Sequence, residues 1–224
     1  MQFSYLNNKI GSLYRSDTSF MINFIAIKDI WIFNCSEGCQ YNTINNESKI
    51  NNVSKIIITD LYIHNTSGLL GLLSSLNLIG RTKDLHIYGP KNLANYLDLS
   101  KKYSHTNFSY TIYIHVLAIG LVINTNKYRV YTLGNKNQYQ FFIMQSEYSG
   151  KFFLSKAKKS YLIQGPLYGK LKKGSSFILP DGHTLYGCQF TISHLIGLQL
   201  CFVVDKYYNR VLLESSWTPS IIVY

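Results

Sequence analysis

The chain has 224 residues, 46% hydrophobic and 15% aromatic, and carries a formal net charge of +11 from 22 Lys and Arg against 11 Asp and Glu. That length and apolar content support one sizeable core and exclude an intrinsically disordered chain. The charge favours a polyanionic partner, nucleic acid or an anionic membrane surface, although a basic protein kept soluble by lysine has the same sum.

The N-terminal MQFSYLNNKIGS has neither the charged nor the apolar region of a secretory signal. Gln2 to Leu6 alternates weakly and reads as a first strand, followed by a turn at Asn7-Asn8-Lys9. Phe20 to Ile27 and Ile30 to Phe33 form an expected hairpin turned at Lys28-Asp29. After a polar, Asn-rich connection over 42–52, the apolar β-branched run Lys55 to Ile58 predicts a buried strand. A polar turn follows over Thr59 to Ser67. The helix expected from Gly68 to Leu78 is apolar almost all round, which places it in a core or a subunit contact. A short strand ends in Tyr88-Gly89-Pro90, and Pro90 opens a helix over Lys91 to about Lys102.

The longest apolar run, Thr111 to Ile123, is too short to cross a bilayer and holds His115, so no membrane partner is expected. It reads as one long buried strand beginning at Tyr110, followed by strands over Tyr128 to Leu133 and Tyr139 to Gln145. Strands are also expected around Phe177 to Leu179, Gly197 to Val204 and Pro219 to Tyr224. The four cysteines, Cys35, Cys39, Cys188 and Cys201, make no C-x-x-C pair and no disulfide framework; core thiols in a reducing compartment are expected. Heavy use of Asn, Ile, Lys and Tyr (19 of the last) is what an AT-rich genome imposes, and points to an organelle-encoded protein.

Three strings carry a family resemblance. They are Thr59 followed by Gly68-Leu69-Leu70-Gly71-Leu72-Leu73 and Tyr88-Gly89-Pro90, then Trp31-Ile32-Phe33-Asn34-Cys35-Ser36-Glu37-Gly38-Cys39-Gln40, and Gly165-Pro166-Leu167-Tyr168-Gly169-Lys170-Leu171. In this order they resemble ribonuclease Z, the metallo-β-lactamase-fold nuclease that trims the 3′ ends of precursor tRNAs. The resemblance implies a single α/β domain over 1–224, a metallo-β-lactamase-like αββα sandwich with an arm-like insertion at about 147–174. It implies a fold incomplete at the C-terminus, because the family continues with a His-Glu motif and a further histidine. A plastid (chloroplast) homologue is the expected setting.

The family's Thr-His-x-His-x-Asp-His motif holds two zinc ions, which activate water and stabilise the leaving oxygen. Here its leading histidines fall on Asp60 and Tyr62, its aspartate on His64 and its last histidine on Asn65. The next metal-binding histidine aligns with Asn135, and the bridging aspartate with Asp205. Tyrosine and asparagine are poor zinc ligands, and one imidazole cannot assemble a dinuclear site, so no cofactor and no confident catalytic residue are expected. The bland alternative is a polar turn bonded to backbone; the sharp one is a single-metal site of Asp60, His64 and Asp205. Asn34 replaces the family's usual aspartate. Glu37 reads as a charge favoured at a helix N-terminus. Neither a G-x-S-x-G elbow nor a phosphate-binding glycine loop occurs.

The arm needs no metal. Between Glu147 and Asp181 there is no acidic residue, while Lys151, Lys156, Lys158, Lys159, Lys170, Lys172 and Lys173 are interleaved with Phe152, Phe153, Tyr161 and Tyr168. Lysine pairs phosphates and aromatic rings stack on bases, and Gly165, Pro166 and Gly169 stiffen and bend the loop. The competing reading is a solvated loop whose aromatics pack its own hinge. In the family, the arm of one subunit of a dimer serves the active site of the other. A homodimer, or a heterodimer with a catalytic homologue, therefore follows from the resemblance, with tRNA or precursor tRNA as partner. Three functions compete: an RNA-binding ribonuclease Z-like protein without its own nuclease activity, an active or partner-completed tRNA 3′ endonuclease, and a decaying reading frame.

Overall fold

A computed structural model describes residues 2–5, 19–45, 49–135, 138–146, 150–160, 162–191, 197–202 and 221–223. β1 (Gln2–Tyr5), β2 (Phe20–Phe24) and β3 (Asp29–Phe33) run antiparallel. The hairpin closes where Lys28, at φ +52°, donates its N–H to Ile25 O. α1 (Cys39–Asn45) crosses to β4 (Val53–Ile57). α2 (Ile63–Thr66) and α3 (Leu69–Leu78) lead to β5 (Leu85–Gly89), and α4 (Leu93–Ser104) leads to β6 (Ile112–Val116). β3 to β6 are parallel, which requires these helical crossovers. The first sheet has the order β1-β2-β3-β4-β5-β6.

β7 (Gly120–Asn124), β8 (Tyr128–Asn135) and β9 (Gln138–Gln145) form an antiparallel meander. The arm follows: α5 (Leu154–Lys159), α6 (Pro166–Lys172), β10 (Phe177–Ile178), β11 (Thr184–Leu185) and α7 (Gly187–Phe190). β12 (Gln199–Phe202) then pairs with β9, and β13 (Ile221–Val223) with β12, giving a second sheet β13-β12-β9-β8-β7.

Alternation along the strands splits the apolar residues between two cores. One face of the first sheet (Met21, Ile30, Ile32, Ile56, Ile87) packs on Cys39, on Leu69, Leu72, Leu73 and Leu76 of α3, and on Leu93 and Leu97 of α4. The other face meets the second sheet through Phe20, Phe24, Trp31, Phe33, Tyr128, Phe141 and Phe202. Rings interlock there: Phe20 stacks on Phe33 at 4.6 Å, and Phe24 lies edge-on to Trp31 at 4.6 Å. Helices, sheet, sheet are thus the layers of the αββα sandwich among the described residues.

Three expectations are corrected. The run from Tyr110 to Ile123 is two strands in different sheets, not one buried strand. Gly120, at φ +116°, lets the chain turn from β6 into β7. β6 is an edge, so Tyr113, Ile114 and Val116 are 45%, 36% and 63% exposed. α3 is not covered all round: it buries Leu69, Leu72, Leu73 and Leu76 in its own core, one of the two places expected for it, while Leu78 is exposed. Cys188 is exposed, unlike Cys35, Cys39 and Cys201.

Arg81 ties the end of α3 to the start of β5. It is buried, and its guanidinium donates to the carbonyls of Lys83 (2.8 Å), Asp84 (2.8 Å) and Asn51 (3.3 Å) beneath the Tyr110 ring. Burial lowers its pKa and raises that of Tyr110. Arg81→Met keeps much of the packing but orphans these carbonyls. It is expected to lower stability by about 2–4 kcal/mol in urea denaturation; a midpoint unchanged from wild type would contradict this role.

Candidate functional site: a closed polar turn and a basic arm

The C-terminal ends of parallel strands are where open α/β sheets place ligand sites. Here they carry Asn34, just after β3, and Thr59, just after β4. Asn34 is buried in the left-handed region at φ +54°, with its N–H on Ile57 O at 2.8 Å. Its Oδ1 accepts the Thr59 N–H at 2.9 Å and lies 3.1 Å from the Thr59 hydroxyl. The next loop is locked on from the other side. Cys35 N–H donates to Asn65 O and Gly68 N–H to Cys35 O. A Cβ on Gly68 would stand 2.0 Å from Ser36 O, so only glycine permits this approach.

Asp60 sits inside this frame, 3% exposed. Its Oδ1 accepts the Asn65 side-chain amide at 2.7 Å and the Tyr62 N–H at 3.0 Å, and its Oδ2 lies 3.1 Å from the Thr59 hydroxyl. The Asn65 amide also reaches Thr59 Oγ1 at 3.4 Å. Among the described residues no Lys or Arg forms an ion pair with Asp60. The donors around the carboxylate are neutral: the Asn65 amide and the Tyr62 N–H on Oδ1, and on Oδ2 the Thr59 hydroxyl, whose one proton Asn34 Oδ1 also attracts.

The other aligned positions diverge. Tyr62 and His64 are exposed, their rings 6.4 Å apart. Asn135 ends β8 opposite Gln138, and its side chain is outside the described set, as is Asp205. Asp60 and Asn65 are thus brought together, and Tyr62 and His64 are turned away from them. Among the described residues no three His, Cys, Asp or Glu side chains gather closely enough to hold a metal ion. The residues do not fit two zinc ions. Asn65 aims N–H groups at the one carboxylate, where a cation would need lone pairs. Glu37 is exposed and lies two residues before α1.

The arm is built on its own small core of Ala157, Leu171, Leu185 and Phe190, closed by Phe152, Leu162, Tyr168, Phe177 and Leu179. A bridge between Phe152 and Thr191, and Phe153 N–H on Phe190 O at 2.7 Å, clasp its base. Pro166 opens α6 after Gly165, and Tyr168 is held inside the arm: its ring lies 5.1 Å from Phe152 and its hydroxyl donates to Leu162 O. Tyr168 and Phe152 thus pack on the arm's own core, each remaining partly exposed. Tyr161 lies outside the described residues. Lys151, Lys156, Lys158, Lys159, Lys170, Lys172 and Lys173 are all exposed. Lys156 also lies over the Phe153 ring at 5.1 Å. The C-terminal turns of α5 and α6 favour these cations.

Sequence reasoning missed one cluster. His86 and Tyr88 of β5 and Tyr113 and His115 of β6 share a sheet face, and their rings form a near-parallel stack. Centroids are 5.1 Å apart for Tyr113–His86, 5.3 Å for His86–His115 and 4.5 Å for His115–Tyr88. His86 Nδ1 and His115 Nε2 are 3.1 Å apart, within hydrogen-bond distance. Burial, then His115 and Lys55, lower the His86 pKa. The signal was the matched spacing His-x-Tyr and Tyr-x-His in adjacent strands.

Asp60→Ala leaves the Asn65 amide and the Tyr62 N–H without their acceptor. It is expected to destabilise the chain by about 1–3 kcal/mol, and Asp60→Asn by less, in equilibrium unfolding. Equal midpoints for Asp60→Ala and wild type would contradict the network.

The comparisons agree with this geometry. No family model matches the sequence. Ribonuclease Z of Acaryochloris marina is 33% identical over 229 residues, which is all of this chain and 73% of that protein. Uncharacterized protein ycf56 of Porphyra purpurea is 35% identical, spanning all of this chain and 87% of that one. Among solved structures, human tRNase Z, short form, superposes with a TM-score of 0.53 at 16% identity, covering 77% of this chain and 87% of that one. YhfI of Bacillus subtilis, a metallo-β-lactamase fold protein, gives 0.55 at 7% identity, covering 98% of this chain and 68% of that one. At those identities the structures speak for the fold alone. With a relative named Ribonuclease Z that is 33% identical across the whole of this chain and 73% of its own length, this chain belongs to the ribonuclease Z family.

Proposed function

We propose that this chain is a ribonuclease Z-like protein that binds tRNA or precursor tRNA through its basic arm and has no zinc-dependent nuclease activity of its own. The observation that carries the reading is the filling of Asp60 by Asn65, Tyr62 N–H and Thr59, beside seven exposed lysines uninterrupted by acid on the arm. Lysine–phosphate attraction works without a metal, and releases counterions whether or not the backbone is cut. A homodimer, or a heterodimer in which a catalytic homologue supplies the metal site, gives such an arm a use. The small core of the arm supports this, since it can present the lysines to a second subunit. The red-algal ycf56 and cyanobacterial ribonuclease Z relatives, with the Asn, Ile, Lys and Tyr bias, support a plastid-encoded protein.

The test is binding of a precursor tRNA across a salt series, wild type against the triple variant Lys170→Ala, Lys172→Ala, Lys173→Ala. The wild type is expected to weaken steeply with salt. The variant's slope in log K against log [salt] should be flatter by about 0.7–0.9 for each phosphate contact removed. Weak binding with equal slopes would leave the arm without a role and favour the decaying reading frame.

A further inference from the structure

The arm leaves the second sheet after β9 and the chain rejoins it at β12. At that root, against the turn from β7 into β8, lies a cleft of about 710 Å³. It sits at the Tyr128 end of β8, seven steps of about 3.3 Å from Asn135 at the other end, so it stands apart from that aligned position. Its walls are tied together. Thr125 Oγ1 accepts the Tyr128 N–H at 3.0 Å, and the Thr125 N–H donates to Tyr128 O at 2.9 Å, which closes the turn. Lys127 O accepts the Ser146 N–H at 2.8 Å and fastens the turn to the root of the arm. The Gln145 N–H, on Leu198 O at 2.9 Å, joins the two ends of the insertion.

The lining is basic, aromatic and rich in carboxamides. Lys127 and Arg129 are exposed; among the described residues neither has an ion-pair partner, and no Asp or Glu lines the cleft. Asn124, Arg129, Met144 and Gln199 stand abreast on β7, β8, β9 and β12, so their side chains share one face of the sheet. Tyr131, half-buried, follows two residues after Arg129 and lies on that same face. Gln145 also lines the cleft, and its Oε1 is buried with no hydrogen-bond partner among the described residues. A buried carbonyl oxygen is normally met by a donor.

We propose that this cleft binds an unpaired nucleotide of an RNA, with its phosphates on Lys127 and Arg129, its base against the Tyr131 ring and its base edge on the carboxamides. Cations without acidic partners attract phosphate. An aromatic ring accepts the face of any base. A carboxamide carries a donor and an acceptor side by side, as base edges do, and the Gln145 oxygen takes an N–H from the base. A duplex hides its base faces in its own stack, so the occupant is single-stranded. The volume lies within the range of small-ligand sites and suits a nucleotide, not a helix. The source of the nucleotide rests on the proposed function: the arm's lysines hold the RNA, and the cleft at the arm's root receives an unpaired stretch of it.

Fluorescence anisotropy of labelled single-stranded hexa-adenylate with the full chain tests this. Wild type is expected to bind it. The double variant Lys127→Ala, Arg129→Ala and the single variant Tyr131→Leu should each raise Kd by about tenfold or more with folded circular-dichroism spectra. Gln145→Leu should raise Kd without lowering the urea midpoint, a combination that a purely structural role does not give. The arm variant Lys170→Ala, Lys172→Ala, Lys173→Ala should keep most of the hexamer's affinity. A wild type that does not bind the hexamer overturns the proposal. So does binding that the cleft variants leave unchanged, or that only the arm variant loses, and either result leaves the arm's own role standing. A loss in the lysine–arginine variant that Tyr131→Leu and Gln145→Leu do not share also overturns it, because a bare charged surface would behave so. Failure of the arm reads out separately, as an unchanged salt slope for precursor tRNA in the arm variant.

Discussion

A carboxylate held away from water needs a cation or a full set of hydrogen-bond donors, because an uncompensated buried charge costs several kcal/mol. Asp60 has the donors. Its Oδ1 is met by an amide and a backbone N–H and its Oδ2 by a hydroxyl whose one proton Asn34 also attracts, all drawn from its own turn or its immediate neighbours. That arrangement determines much of the turn. Asn65 must face inward to reach Asp60, its carbonyl then takes the Cys35 N–H, and Gly68 can approach Ser36. The resemblance to ribonuclease Z leads one to expect metal ligands at these positions, with lone pairs converging on cations; here N–H groups converge on the Asp60 carboxylate, the inverse of that expectation.

The fold can absorb that inversion because neither core passes through the site. One core lies between the helices and the first sheet, and the other lies between the sheets, anchored by interlocked rings. The strand ends that carry Asn34 and Thr59 are positioned from behind by those cores, so substituting what projects beyond them leaves the frame standing. The arm is insulated in the same way by its own core. Function belongs to sites grafted on folds, and the strand ends and the arm of this chain each rest on a core of their own.

Much of this was legible in the residues. The hairpin turned at Lys28, the strand before Thr59, the helix after Gly68 and the Pro90-led helix were readable from periodicity and punctuation. Asp60, Tyr62, His64 and Asn65 were singled out once Thr59 and Gly68 to Leu73 fixed the register of the resemblance. The partition of those four was not legible: whether an Asp or a Tyr projects inward depends on which neighbour offers a donor. Apolar continuity hid the break between β6 and β7, since both strands and their turn are hydrophobic for different reasons. α3 seemed apolar all round because Leu70 and Leu78, off its core stripe, are as hydrophobic as those on it. The packing of the Tyr168 ring on Phe152 was not legible either, because composition does not say what a ring rests on.

The central claim is that the Thr59–Asn65 turn is complete without metal. Native mass spectrometry of the chain equilibrated with excess zinc and then desalted measures this directly. The account predicts the mass of the polypeptide alone, with no zinc added to it, for wild type and for Asp60→Ala alike. Two zinc ions per wild-type chain, lost in Asp60→Ala, would contradict it.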